Sequence, residues 1–553
     1  MSGWSRRAVL GGLAGGIGLG GLLSCGEGPP PAPTVGVLGA ARAARGHRLR
    51  APFRPGAPGQ RLRPAVCVVG GGVAGLSAIW RLRHAGFDGE IVLVELDEAL
   101  GGTSQAGGDA AAPFALGGHY ATLPNAENLH VRAIFEDLGV FLPADPAGPP
   151  RVAPGQLCLA PQERVFVGGQ WWPGLWPAEG ASARDEEQRA HWEARVEALR
   201  ATVGADGKPA FSLPVAMASH DPAIRALADQ SMAAWLDAEG LDSPRLRWLV
   251  EYACRDDFGT TLQTTSAWAG LHYHCARRPF LHDDRDLGTH VLTWPAGNGF
   301  LVAGLAGLAA RAPATRLLGA ICRRVEPDTG RVWVEQGEAL IQIDAEHVVL
   351  AVPSPVAARL LDRPDPAAPT AAPWRVAVLH LDGPARGPGV PAAWDSVVYQ
   401  PELPVEEADL GAIDNEWQRG AYGSAGTLTW YQPLCGADPA AERAALLAST
   451  PEEQAALVLR RMRRGWPGLP ERLRRIELWA WGHGTVRPTV GLHRDPGGLA
   501  TRAAPGGRVW RAHTDLSGMS LFEEASYHGV RVAEAILAER GLPVERPLAG
   551  APA

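Results

Sequence analysis

Lysine is almost missing from this chain. Of its 52 basic residues a single one, Lys208, is lysine and the rest are arginine. A coding bias toward Arg, Ala, Gly and Pro accounts for the skew, yet it has a chemical consequence: a mechanism needing a buried lysine has one candidate. Long apolar runs are missing too, and none reaches the ~18–20 residues that span a bilayer. Excess positive charge is absent, since 59 acidic residues outweigh the basic ones and leave a net charge of −7. No basic surface therefore points to a nucleic-acid partner. Cysteine is sparse, with seven in 553 residues and no CxxC pair, which removes the usual zinc and dithiol motifs and leaves any disulfide unassigned. What remains is an ordinary globular balance, 46% apolar and 20% charged, too apolar for a disordered chain. At ~150 residues per domain the length suggests two to four domains.

The N-terminus reads as an address. Ser5-Arg6-Arg7 precedes a short, Gly-rich apolar stretch that ends in Leu22-Leu23-Ser24-Cys25. Paired arginines before such a stretch resemble a twin-arginine export signal, and Leu-Leu-Ser-Cys resembles a lipobox whose Cys25 becomes the lipidated first residue. The expected partners are the twin-arginine export machinery and, through the lipid at Cys25, a membrane on the periplasmic or cell-surface side. Residues 26–64 lack periodicity and are rich in Pro, Gly, Ala and Arg, which predicts a flexible tether.

The chemistry begins at residue 65. Ala65 to Val69 is a continuous apolar run, as a buried parallel strand requires. It enters Gly70-Gly71-Gly72-Val73-Ala74-Gly75, a G-x-G-x-x-G segment, and then a helical apolar spacing from Leu76 to Leu82. Gly70 allows the tight turn, Gly72 lets backbone approach a pyrophosphate, and Gly75 allows close helix–strand packing. The N–H groups of Val73, Ala74 and Gly75 open the helix and offer its positive end to phosphate. A second strand, Glu90 to Val94, delivers Glu95, placed to accept hydrogen bonds from an adenosine ribose. Strand, glycines, helix, strand and acid in this order specify a dinucleotide site.

Gly101-Gly102, six residues beyond Glu95, narrows the nucleotide. Here the sequence resembles the flavin-dependent amine oxidase superfamily, which includes monoamine and polyamine oxidases, protoporphyrinogen oxidase and phytoene desaturases. That resemblance implies a second glycine pair meeting the pyrophosphate of FAD. The superfamily usually has Arg next, where this chain has Thr103-Ser104, leaving the phosphates one partner fewer. Phe114 to His119 resembles the segment running beside the flavin, implicating Gly118 as a cofactor contact and His119 as a catalytic candidate. Val509 to Asp515 resembles the last cofactor strand, whose acid, Asp515, would bond the ribityl chain. The helix opened by Glu523 would face the flavin pyrimidine. The superfamily has Gly where His513 stands here.

The implied fold is α/β, a discontinuous Rossmann-like FAD-binding domain interleaved with an α+β substrate domain. The expected parts are signal 1–25, tether 26–64, cofactor stretches 65–135, 291–364 and 476–540, substrate stretches 136–290 and 365–475, and a tail, 541–553. The implied chemistry is oxidation of a small organic substrate by hydride transfer to flavin N5, with an unknown electron acceptor. A desaturase or porphyrinogen-type dehydrogenase on an apolar ligand, and a non-catalytic lipid-anchored flavoprotein, remain alternatives.

Several segments outside the fingerprint are candidates for substrate chemistry. His483, in Trp481-Gly482-His483-Gly484, either contacts the isoalloxazine or substrate or is a structural histidine. No cysteine stands in this neighbourhood to join a flavin covalently. The lysine that holds water near N5 in many amine oxidases has no counterpart in Arg375 to Leu381. His272-Tyr273-His274 puts two imidazoles on one face if it is a strand, with no third metal ligand nearby. Asp256-Asp257 and Asp283-Asp284 could bind an amine or be solvated acids. Trp171-Trp172-Pro173-Gly174-Leu175-Trp176 could wall a ligand or simply pack. Helices are expected over Glu187–Arg200, Pro222–Glu239 and Pro451–Trp466.

Overall fold

The computed structural model describes residues 33–38, 40–143, 148–281, 290–310, 314–420, 425–494 and 507–549. The signal segment with Arg6, Arg7 and Cys25, and the Asp283-Asp284 pair, lie outside these residues. Among the described residues no helix is long and apolar enough to cross a membrane.

The apolar run before the glycines forms β3 (Val66–Val69), every residue of it buried. After the glycine turn comes α2 (Val73–His84), and then β4 (Ile91–Val94), also wholly buried. These two strands lie inside a five-stranded parallel sheet. Ala314–Leu317 pairs with β4, while His347–Leu350 pairs with β3 and carries Val509–Arg511 on its far side. A parallel sheet covered on both faces needs strands apolar on both sides, and β3 and β4 meet that need. The C-terminal helix Phe522–Glu539 packs against α2, where a Cβ on Gly529 would stand 2.2 Å from the Ala74 carbonyl. The fold is thus mixed α/β with a Rossmann-like sheet assembled from distant stretches.

The second large sheet has eight strands. At its centre the long strand Ala371–Leu381 lies antiparallel to both Leu473–Val486 and Gly426–Pro433. Glu163–Val167 runs parallel to Asp395–Val398 and sets Glu163 opposite Asp395. A helical layer joins this sheet, including Ala183–Arg200, Pro244–Phe258 and Ala267–Cys275.

Several expectations are corrected. Residues 33–62 do not form a loose tether. Among them β1 (Thr34–Val37) pairs parallel with Leu473–Val486, α1 (Ala40–His47) follows, and β2 (Gln60–Leu62) pairs with Ala339–Asp344. Low periodicity hid these elements because they are short and their order comes from pairing with pre-formed sheets. His272-Tyr273-His274 is helical, begun by a Ser266 hydroxyl that accepts from Ala269 N–H, so the two imidazoles do not share a face. His272 instead caps the Ser212 carbonyl at 2.9 Å, and among the described residues no cluster of metal-ligating side chains occurs. The Pro222–Glu239 helix is broken: it splits into Pro222–Arg225, a 3-10 turn and Met232–Ala238, because Ser231 caps the second piece. Trp171 is a packing residue, buried beneath the Arg164 guanidinium with its indole N–H on Gly465 O.

Candidate active site

The glycine cradle has the geometry its spacing demands. Gly70 sits at φ +108, and a Cβ there would lie 2.3 Å from Ala351 O. A Cβ on Gly75 would lie 2.0 Å from Gly70 O. Gly72 differs: its ordinary φ of −77 would accept a side chain, and the nearest atom to a Cβ is Gly102 Cα at 3.8 Å. That methyl would point into the gap between the two glycine turns, which are bridged by Gly72 and Gly101. Gly101 and Gly102 themselves take φ +128 and +57. α2 begins at Gly72 with no side-chain cap, so the buried starts of Val73, Ala74 and Gly75 present their N–H groups to this gap.

Glu95 closes one side. Its carboxylate accepts from Gly71 N–H at 2.7 Å and from Asp97 N–H at 2.8 Å. Burial pushes its carboxyl upward, while the two N–H donors and nearby Arg42 favour the charged form. Thr103 is exposed, and its carbonyl accepts from Gly118 N–H at 3.1 Å. This bond lays the segment Gly117–Tyr120 along the second glycine turn. On the opposite side Asp515 is buried, with Oδ2 accepting from Ser354 N–H. Oδ1 lies 3.1 Å from His513 Nδ1. That nitrogen also accepts from Asp515 N–H, and the buried Oδ1 has no hydrogen-bond donor in line with it. Burial alone would raise the Asp515 carboxyl, but the His513 ring and the Ser354 donors hold it well below the usual range. An anion cradle at one end and an orphaned acceptor at the other fit FAD. The flavin, when bound, supplies the two-electron acceptor, and these residues would hold its ribose, pyrophosphate and ribityl chain.

Glu523 plays a different part from the one expected. Its carboxylate accepts from the N–H and hydroxyl of Thr122, and its carbonyl accepts from His130 Nε2. It fastens the last helix to the strand Tyr120–Thr122. His483 also departs from expectation. It is exposed, with Nδ1 3.2 Å from the Arg443 guanidinium. No contact brings it to His119. β1 pairs with Arg475–Leu478 at the other end of the strand Leu473–Val486, and Arg42 lies over Trp479 and Trp481 between them, which the sequence did not signal.

His119 stands in an aromatic recess. Its ring lies 5.0 Å from Tyr431, 5.2 Å from Tyr120 and 5.6 Å from Trp394. Burial lowers it to about 4 although Gly117 O favours its charged form, so at neutral pH it is uncharged. Beyond it lies a cluster assembled from five elements. Tyr120 Oη donates to Asp257 at 2.9 Å and accepts from Arg277 at 2.9 Å. Tyr252 Oη donates to Asp395 at 3.0 Å. Asp256 and Asp257 end the helix Pro244–Phe258, where the negative pole of the helix disfavours carboxylates. Glu163 and Asp395 face each other across the sheet register. Desolvation raises Asp256, Glu163 and Asp395, and neighbouring acids add to the rise at Asp256 and Asp395; Arg277 opposes it at Asp256, and the Gln162 hydrogen bond followed by Arg277 opposes it at Glu163. Asp256, Glu163, Tyr120 and Tyr273 keep accessible surface although they are strongly desolvated, as side chains lining an inner recess must. Sequence reasoning had singled out the Asp256-Asp257 pair but missed Glu163, Asp395, Tyr120, Tyr431 and Arg277, which have no local motif.

The comparisons agree with this architecture. A family profile described as an NAD(P)-binding Rossmann-like domain matches residues 68–138. No curated protein matches the chain. Among solved structures, wild-type putrescine oxidase bound to putrescine aligns with TM-score 0.60 at 17% identity, over 86% of this chain and all of its own. Cyclohexylamine oxidase from Brevibacterium oxydans IH-35A aligns with TM-score 0.56 at 18% identity, over 86% of this chain and 99% of its own. A fatty acid isomerase from P. acnes that produces CLA aligns with TM-score 0.58 at 15% identity, over 86% of this chain and 98% of its own. At these identities the likeness establishes a shared fold with these structures.

Proposed function

We propose that this chain is an FAD-dependent oxidoreductase of the amine oxidase type, acting on a small substrate that carries a protonated amine. The observation that carries this reading is the recess beside Gly117–Tyr120, where Asp256, Asp257 and Glu163 lie within reach of the Arg277 charge and Asp395 stands opposite Glu163 in the sheet. Excess buried carboxylate beside aromatic rings suits a cation and disfavours the alternative of an apolar ligand. His119, neutral and held by aromatic neighbours, is positioned to exclude water or to orient substrate, and no lysine contributes. Because putrescine oxidase and cyclohexylamine oxidase share the fold, putrescine and cyclohexylamine are the first probes. Purified protein lacking residues 1–25 should be yellow and release FAD on denaturation, and anaerobic addition of a competent amine should bleach the flavin absorbance. Colourless protein that binds NADH but no flavin overturns the cofactor, and a flavin that alkenes or porphyrinogens reduce but amines do not overturns the substrate class. The rate of reoxidation by air then separates an oxidase from a dehydrogenase with another electron acceptor.

The proposed setting is outside the cytoplasm, with the twin-arginine machinery as exporter and a lipid at Cys25 as anchor. Its support is the spacing of Arg6-Arg7 and Leu22-Leu23-Ser24-Cys25. Cys25→Ser should shift the protein from membrane to soluble fraction on cell fractionation. Unchanged membrane attachment would rule out the lipid anchor.

A further inference from the structure

The segment 33–62 crosses from one sheet to the other over the adenosine side of the cradle. Leu38 N–H donates to Leu478 O at one end, and β2 joins Ala339–Asp344 at the other. Between them α1 lies on the residues that follow Glu95. Arg45 donates to Leu96 O and pairs with Glu98 at 2.7 Å, and a Cβ on Gly46 would touch Leu96.

Arg42, on the same helix, reaches further along the cradle. Its Nε is 3.0 Å from Asp97 Oδ2, an oxygen that also accepts from Gln105 Nε2 at 3.0 Å. Gln105 in turn lies against Gly101. The Arg42 guanidinium covers the Trp481 ring at 4.4 Å and the Trp479 ring at 5.3 Å. Trp481 reaches the Leu116 carbonyl with its indole N–H, beside the Gly117–Thr103 contact. The guanidinium is thereby pinned on one edge and one face, between the ribose acid and the second glycine turn. Of its two terminal nitrogens, Nη1 is buried and donates to nothing.

A dinucleotide pyrophosphate brings two negative charges to this gap. The cradle answers with N–H groups and a helix end equivalent to roughly half a positive charge. Thr103 adds none. We propose that Arg42 is a pyrophosphate-binding residue, supplied from outside the Rossmann unit by the crossing segment, with Nη1 as the donor. This rests on the FAD reading above. Arginine suits the task because its planar fork can bond Asp97 with one edge and a phosphate oxygen with another.

The test is reconstitution of flavin-free protein, with affinities for FAD, ADP and adenosine measured by titration. Arg42→Ala should weaken FAD and ADP binding about 10–100-fold and leave adenosine unchanged. Arg42→Lys should recover part of the loss, and the salt dependence of FAD binding should flatten in Arg42→Ala. Phenylglyoxal labelling of the wild-type protein, read at the Arg42 peptide, keeps the test open if the variants fail to fold: ADP should protect Arg42 and adenosine should not. Unchanged FAD affinity in Arg42→Ala, equal losses for ADP and adenosine, or equal protection by both, would overturn the proposal. Wild-type protein that takes up no FAD would instead overturn the reading on which it rests.

Discussion

Gly72→Ala should leave the protein folded and nearly empty of flavin. Its φ of −77 is ordinary for alanine, and the nearest atom to the added methyl is 3.8 Å away, so the apo protein should melt within about 1 kcal/mol of wild type. The methyl would occupy the gap the pyrophosphate needs, where binding depends on close backbone approach. FAD retention should therefore fall by ~10²-fold or more. Gly70→Ala is the informative contrast. Its methyl would meet Ala351 O at 2.3 Å, from a backbone at φ +108 that alanine rarely adopts, so it should cost the apo protein ~2–5 kcal/mol. Calorimetry of apo protein beside flavin absorbance of purified protein separates the two. If Gly72→Ala keeps full flavin, the gap between the glycine turns is not where the nucleotide binds.

The contrast between those glycines also shows what a sequence reveals. The cofactor sheet was legible because its evidence is local: four apolar residues, a glycine turn, a helix, then an acid at the end of the next strand. Each step constrains the next through backbone sterics, and β3, α2, β4 and Glu95 fall where the spacing sets them. The substrate recess was illegible for the opposite reason. Glu163 matters because Asp395 stands across from it, 232 positions further on, and neither residue carries a local mark. Flanking glycines suggest that His483 approaches a ring closely, whereas it stands exposed beside Arg443. Arg42 lies in the stretch that the composition had assigned to a tether. Low periodicity was read as absence of structure, but short elements that add to existing sheets need no periodicity of their own.

The recess should show itself most clearly through pH. With Asp256, Glu163 and Asp395 raised by desolvation, and Asp256 and Asp395 further by neighbouring acids, the empty site favours protonated carboxyls, and a bound cation favours their charged forms. Carboxyls raised in the folded state stabilise it below the ordinary carboxylate range, near pH 4, and that contribution is lost as pH rises through their folded values. The substrate-free protein should therefore become less stable over this window, while stabilisation by a protonated amine grows over the same window. Apparent amine affinity should rise with pH, up to tenfold per unit for each proton released, until the amine loses its own proton near ~10. A neutral analogue, cyclohexanol against cyclohexylamine, should show neither trend. Asp256→Asn should weaken amine binding ~10²-fold and leave cyclohexanol unchanged, since it removes a buried partner of the cation. Asp257→Asn should act differently. Asp257 is the neighbouring charge that raises Asp256, so its loss should move the acid limb of the amine profile to lower pH. Calorimetric titration from pH 5 to 9 tests all of this. An amine affinity that is flat across the range, or that Asp256→Asn does not change, would mean that these carboxylates serve the fold and not a cationic substrate.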